Sequence, residues 1–279
     1  MKLSVIVVNH NMCTMLKQSL FALIRACRDI DYELIVVDDA STDRSVEMVQ
    51  NEFPQVNLIL NKFTFGVAKA RNQGIELATG EYVLLVNADT ISGKKTIEQV
   101  VEFMDAHNNA GGVGVRMLSP RGQFLTESRT GFGRAWGGLF KLTGLSKYFT
   151  KSRLYKNDEF WIEEEEFATT EVDVINGAFM LLRKSVVNQI GDLDENFVMF
   201  GHDIDLSFRI RLAGYKNYYF PRTYILNFNT QLQSKFSWDY IRHFYGAMII
   251  FATKYLLHMP ELKMPGIPQM FAPKYEIER

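Results

Sequence analysis

Cysteine is almost missing from this 279-residue chain: there are two, Cys13 and Cys27. No CxxC pair and no Cys/His metal spacing occurs, so a disulfide scaffold is excluded and a reducing compartment is expected. Long apolar runs are missing too. None approaches the roughly 18 residues of a membrane span. The apolar start, Leu3 to Val8 behind a single lysine, is too short for a secretory core and reads as a strand, which points to the cytoplasm. There is no excess of either charge sign: the net charge is -1, so no global field draws the chain to nucleic acid. Neither a Walker A lysine loop nor a GxGxxG turn is present. That excludes a P-loop ATPase and a dinucleotide dehydrogenase. What remains is an ordinary folded composition, 47% hydrophobic and 23% charged.

The stretch Val83-Leu84-Leu85-Val86-Asn87-Ala88-Asp89-Thr90 organises the rest. A continuous apolar run suits a strand buried on both faces, as in a parallel sheet. Its polar tip then sits at the carboxyl edge, where open α/β sheets bind ligands. Earlier strands are expected at Leu3–Val8, Glu33–Val37 and Val56–Leu60, with helices at Thr14–Cys27, through Val49, and at Val67–Ala78. A helix from about Lys94 to His107 follows the key strand. Strands alternating with helices over about 110 residues predict a parallel βαβ sheet.

After Arg116 the alternation stops. Met117 to Thr170 is rich in glycine, aromatics and arginine without a period, and Glu163 to Glu166 reads as a solvated acid run. Order returns with an apolar strand, Val172–Leu182, broken at Asn176-Gly177, and a helix over Lys184–Ile190. Phe197 to Gly201 then leads into His202-Asp203-Ile204-Asp205 at a helix start. Short strands are expected at Tyr218–Pro221 and Tyr224–Leu226, and a long helix over Trp238–Leu257. Residues 1–257 read as one domain, a first half to 116 and a second half that completes its cleft, with 258–279 as an extended tail.

The polar strand ends are Asn9 to Asn11, Asp38-Asp39, and Asn87 with Asp89. Parallel strands line these tips along one edge. A nucleotide could lay its base and ribose on the first two and its phosphates on the third, through a divalent metal, because bare carboxylates repel phosphate. Arg71 and Asn72 could add donors from the neighbouring helix. The plainer alternative makes Asp39 and Asp43 turn and cap residues. Asp203 at the end of an aromatic segment would be partly desolvated, which suits a general base; a helix N-terminus also favours it structurally. Phe132, Arg134 and Trp136 could stack on a sugar, or Trp136 could be buried. The helix from Trp238 reads as a core helix or, alternatively, one that docks on a membrane surface.

Taken together, Ser4-Val-Ile-Val-Val-Asn-His-Asn, Val36-Val-Asp-Asp-Ala-Ser-Thr-Asp, Gly66-Val-Ala-Lys-Ala-Arg-Asn, Leu84-Leu-Val-Asn-Ala-Asp-Thr, Asn176-Gly-Ala-Phe-Met and Phe200-Gly-His-Asp-Ile-Asp-Leu follow the order seen in family 2 glycosyltransferases. The chain most resembles their bacterial rhamnosyltransferase-like branch, over residues 1–257. The resemblance implies a GT-A fold, a Rossmann-like, mostly parallel sheet flanked by helices with a C-terminal acceptor-side extension. It implies inverting transfer of a sugar from a nucleotide-diphosphate donor, assisted by Mg2+ or Mn2+, to a saccharide or lipid-linked acceptor. By the same resemblance Asp39 holds the donor base, Asn87-Ala88-Asp89 replaces the DxD-like motif with Asp89 on the metal, and Asp203 is the catalytic base. Asn9, Arg71, Asn72, Asn87, Trp136 and His202 complete the expected substrate contacts. Two positions depart from the family pattern. His202 stands where a glutamate usually precedes the base, and Asn227 stands where a metal-ligating histidine is common. The alternatives are a weakened or inactive nucleotide-binding subunit and, from Asp38-Asp39, a phosphoacceptor domain.

Overall fold

The computed structural model describes residues 1–130, 166–197, 200–228 and 238–256. The apolar runs of the first half pair side by side. Strands β1 (Leu3–Asn9), β2 (Tyr32–Asp38), β3 (Asn57–Leu60) and β4 (Tyr82–Asn87) lie in the order β3-β2-β1-β4. All these pairs are parallel, and Asn9 lies opposite Asp38 while Val8 lies opposite Asn87. The expected polar tips therefore end in register. Helices α1 (Cys13–Ala26), α2 (Ser45–Glu52) and α3 (Val67–Leu77) make the crossovers.

The second half extends the same sheet. After β4 come β5 (Thr90–Ser92), α4 (Thr96–Ala106), β6 (Ala110–Leu118) and the short α5 (Glu127–Thr130). Then follow β7 (Thr170–Val172), β8 (Phe179–Arg183), α6 (Lys184–Ile190), α7 (His202–Leu212), β9 (Lys216–Asn227) and α8 (Trp238–Leu256). The sheet continues β4-β8-β6-β9-β5, with β7 also on β9. Strand β8 is antiparallel to both β4 and β6, while β6 and β9 are parallel. Strands β5 and β7 run antiparallel to β9. The fold is thus mixed α/β, parallel in its first half and mixed in its second.

Two expected boundaries are corrected. The break expected at Asn176-Gly177 is there but is wider than expected: β7 already ends at Val172 and β8 begins only at Phe179, so the two are separate strands. Conversely, the two short strands around Pro221 are one, β9. Its pairing jumps from Val115↔Phe220 to Arg116↔Tyr224, so Pro221 sits in an irregularity where its missing N–H is not demanded by the ladder.

Alternate side chains of the central strands feed two layers. Leu3, Val5, Val7, Leu34 and Val36 pack with Leu16, Leu20 and Leu23 of α1 and Ile97, Val100 and Met104 of α4. Ile6, Ile35, Val37, Val83 and Leu85 pack on the other face with Ala68 and Ile75 of α3, Val186 of α6, and Leu206 and Ile210 of α7. Each fully buried Leu, Ile or Val contributes about 1.5–3 kcal/mol. A satellite core joins α8 to α7, with Met248, Phe251 and Tyr255 against Ile204 and Phe208. Helix α8 is therefore a packed helix, although Tyr245 and Ile249 on it remain exposed. Among the described residues no helix is long and apolar enough to cross a membrane.

Candidate functional site

At the β1 and β2 tips the polar groups are tied to one another. Asn9 donates through Nδ2 to Asp38 Oδ2 at 2.9 Å and to Ser41 Oγ at 3.1 Å. Asp38 Oδ1 accepts the Ser41 N–H at 2.8 Å. The chain turns sharply here: Asn11 and Ala40 both have left-handed backbone, with φ of 54 and 62 degrees. Asparagine tolerates that region because its side chain bonds locally, here to Thr42 and Asp43 N–H groups. Alanine has no such compensation, so Ala40 stores strain at the sheet edge. Asp39 is buried and its carboxylate receives the Asn61 amide at 2.9 Å, the Phe65 N–H at 2.9 and 3.1 Å, and the Gly66 N–H at 2.9 Å. It holds the loop that leads into α3.

The β4 tip meets the second half through Arg71. This side chain, from α3, is buried. One guanidinium nitrogen donates to Asn87 Oδ1 at 2.8 Å and to the Gly177 carbonyl at 2.6 Å; the other lies 3.0 Å from His202 Nε2. Arginine has only donors, so Nε2 accepts and the imidazole proton sits on Nδ1. Burial, with the Arg71 charge adding to it, holds His202 down to about pKa 3. Burial likewise lowers Arg71 to about 10, against the pull of Asp203.

Asp203 opens α7 just after Gly201, whose φ of 90 degrees needs a glycine. Its Oδ2 accepts the Gly177 N–H at 3.0 Å and its Oδ1 the Ile204 N–H at 2.9 Å. Burial raises its pKa; the two N–H groups and Arg71 oppose that rise. The side chain keeps some exposure. A raised carboxyl that still reaches solvent is suited to taking a proton. Asn87, Arg71, Gly177 and Asp203 form one hydrogen-bonded chain joining the β4 tip to the start of α7.

Asp89 and Asn227 are brought together by the sheet edge. Thr90 pairs with Asn227, and the Phe228 N–H donates to the Asp89 carbonyl at 3.1 Å. It is the backbones of the two residues that are adjacent; the side-chain types they carry, a carboxylate and an amide, are both hard oxygen donors. Among the described residues no group of three or more His, Cys, Asp or Glu side chains is placed to hold a metal. These residues do not fit an all-protein cage. They fit a Mg2+- or Mn2+-type ion that takes its remaining ligands from phosphate and water.

One other expected residue, Asn72, is engaged elsewhere. Asn72 spends its amide on Leu193, donating to the carbonyl at 2.8 Å and accepting the N–H at 3.0 Å, and it reaches Glu195 at 3.1 Å. It pins the segment before α7. Trp136 lies outside the described residues, as do Phe132 and Arg134.

Sequence reasoning missed the joint made by Asp205. This fully buried carboxylate accepts from Arg209 Nε at 2.8 Å, Lys254 Nζ at 2.6 Å and Tyr255 Oη at 2.7 Å. Lys254 also bridges to Asp194 at 2.6 Å. The only sequence signal was the i,i+4 spacing of Asp205 and Arg209.

An open sheet with polar tips at its carboxyl edge, joined to a carboxylate at a helix start, is the arrangement at which α/β sheets of this kind bind ligands. The sequence pattern of the family described as Glycosyl transferase family 2 matches residues 4–191, and the chain belongs to that family. It is 23% identical over 205 residues to the N-acetylglucosaminyl-diphospho-decaprenol L-rhamnosyltransferase of Mycobacterium tuberculosis, covering 70% of this chain and 66% of the relative. It is 33% identical over 115 residues to the poly(ribitol-phosphate) beta-N-acetylglucosaminyltransferase TarS of Staphylococcus aureus, covering 39% of this chain and 20% of TarS. The chain thus spans less than two thirds of either relative. The fold matches the S. aureus TarS crystal structure with a TM-score of 0.61 at 18% identity, over 92% of this chain and 40% of that one. It also matches the Pyrobaculum calidifontis mannosyltransferase PcManGT in complex with GDP-Man and Mn2+, with a TM-score of 0.56 at 18% identity, over 83% and 58%. The architecture is therefore that of GT-A glycosyltransferases, as the motifs implied.

Proposed function

We propose that this chain transfers a sugar, with inversion, from a nucleoside-diphosphate donor to an acceptor hydroxyl. The observation that carries the reading is Asp203: a carboxyl raised by burial, held by the Gly177 and Ile204 N–H groups, and linked through Arg71 to the Asn87 tip. In this reading Asp203 takes the acceptor proton. The acceptor oxygen bonds the anomeric carbon from the face opposite the diphosphate. The carbon–oxygen bond to the diphosphate breaks, and its electron pair leaves with the nucleotide. Asp89 and Asn227 would hold Mg2+ or Mn2+, which supplies charge neutralisation to the leaving diphosphate when bound. Asn9, Asp38 and Asp39 would face the nucleoside, the first 116 residues forming the donor half and 117–257 the acceptor half. Asp39 already receives Asn61, Phe65 and Gly66 donors, so a base bound there displaces at least one of them.

The finer assignment leans on the relatives. The mycobacterial protein is named for rhamnosyl transfer to a lipid diphosphate, and the TarS and PcManGT structures contain UDP-GlcNAc and GDP-Man. We rank dTDP-rhamnose first and a UDP-hexose second, with a lipid-linked saccharide at the inner membrane face as acceptor in surface polysaccharide synthesis. A donor-turnover assay with Mn2+, run on wild type, Asp89→Ala and Asp203→Ala, tests the roles. Equal turnover in all three discards them. His202 and Asn227 favour a second reading, a nucleotide-binding subunit without turnover. Calorimetry that detects nucleotide, with no product from any donor, would support it.

A further inference from the structure

Arg71 is buried, yet among the described residues none of its hydrogen-bond acceptors is an anion. They are an amide oxygen, a backbone carbonyl and a neutral imidazole. A buried guanidinium ordinarily takes a carboxylate partner. The nearest one, Asp203, is hydrogen-bonded by backbone N–H groups instead. Gly177 packs against both: a methyl built on it would lie 3.2 Å from Asp203 Oδ2 and 3.4 Å from Arg71 Nη1. His202 itself is 6% exposed, and its Nδ1, which carries the proton, has no hydrogen-bond partner among the described residues. That is a costly arrangement for a residue whose job is only to fill space.

We infer that His202 is a positioning residue: its neutral imidazole fixes Arg71 by a hydrogen bond without cancelling the guanidinium charge, which is thereby kept for Asp203. The inference rests on the reading of Asp203 as the proton acceptor. A carboxylate at position 202 would pair with Arg71 directly and leave the cluster with an excess negative charge. Asp203 would then ionise against a like charge rather than beside a bare cation. The charged side chains that face this cluster from the described elements are Arg71 of α3 and Asp203 of α7. Asp89 lies two residues beyond Asn87 on the β4 tip.

The test reads the Asp203 carboxyl directly, by carboxyl infrared difference spectroscopy against Asp203→Asn, so that it does not need turnover. His202→Glu is expected to move the Asp203 titration up by about one unit or more. His202→Gln, which keeps a neutral acceptor, is expected to leave it within a few tenths of a unit. Asn87→Asp places a carboxylate on the other side of Arg71 and is expected to act like His202→Glu, so a folding failure at position 202 does not end the test. The acid limb of the kcat profile should follow the same order in both acidic variants. An Asp203 titration unmoved by both His202→Glu and Asn87→Asp overturns the inference. A shifted titration in a protein that transfers no sugar from any donor overturns the function proposed above, and with it the catalytic purpose of the arrangement, while the control of the Asp203 carboxyl by His202 through Arg71 still holds.

Discussion

Helix α7 carries two carboxylates two residues apart, which point to different sides of the helix and meet opposite treatment. Asp205 is surrounded by complements: Arg209, Lys254 and Tyr255 all donate to it, and Lys254 passes on to Asp194. Asp203 has backbone donors and a nearby cation that bonds elsewhere. One region buries charge with full compensation and becomes a joint between helices. The other buries charge with partial compensation, and its pKa values move. The energy left uncompensated is what makes a group reactive, which is why shifted groups gather at sites of function.

The largest expected separation between the two regions comes from replacing each carboxylate in turn. Asp203→Asn should lower kcat by about 10²–10⁴-fold, the range of a lost general base, while thermal melting stays near that of wild type. Asp205→Asn should do the reverse. It removes the carboxylate that Arg209 and Lys254 share, leaving the buried Arg209 cation on the Ile190, Gly191 and Asp192 carbonyls and Lys254 on Asp194, and should cost about 3–5 kcal/mol of stability by urea unfolding, with turnover per folded molecule largely kept. A stability loss at Asp203 as large as that at Asp205 would erase the distinction.

A smaller effect comes from pH. His202 stays neutral in the folded protein down to about 3, whereas its unperturbed value is 6.5. Between those values the unfolded chain binds a proton that the folded one refuses. Stability from this group is therefore complete above 6.5 and is lost as pH falls, by up to about 1.4 kcal/mol per unit. Unfolding at pH 6.5 and 4.5 should show wild type losing about 2–3 kcal/mol more than His202→Gln, in which nothing titrates. Asp203, raised on folding, runs the other way, but it is present in both proteins. An equal loss in the two proteins would place the imidazole in contact with water.

Much of the first half was legible in the sequence because its signals are local. Continuous apolar runs ending in Asn9, Asp38 and Asn87 announce buried parallel strands, and the structure ends them in register. The motif order also carried the fold class. What failed was the longer-range part. Strand β5 has three residues, too short for any period, yet it is what sets Asp89 beside Asn227. Pro221 masked the continuity of β9 because a proline inside a strand reads as a break. Asn72 looked like a ligand donor from its place on α3, but its partner, Leu193, is 121 residues away. The contact between Arg71 and His202 spans 131 residues, and nothing in either neighbourhood advertises it.

The finest probe of the comparison is Gly177, whose N–H donates to Asp203 and whose carbonyl accepts from Arg71, and which takes no part in the hydrogen bonds that Asp205 accepts from Arg209, Lys254 and Tyr255. Its backbone needs no glycine for conformational reasons, so adding a methyl is a purely steric change. That methyl would sit 3.2 Å from Asp203 Oδ2 and 3.4 Å from Arg71 Nη1, slightly too close, and the carboxylate must yield by a few tenths of an ångström. Gly177→Ala should therefore cost about 1 kcal/mol or less of stability by urea unfolding, because the Asp203 side chain, which is only partly buried, can give by that much. Its effect on transfer should be larger in proportion, a fall of about threefold to tenfold in kcat with little change in donor KM, since misplacing a reacting group by an ångström can cost about 10²-fold. A fall in KM alone, or none at all, would mean that the position of Asp203 is set by α7 and not by the turn that carries Gly177.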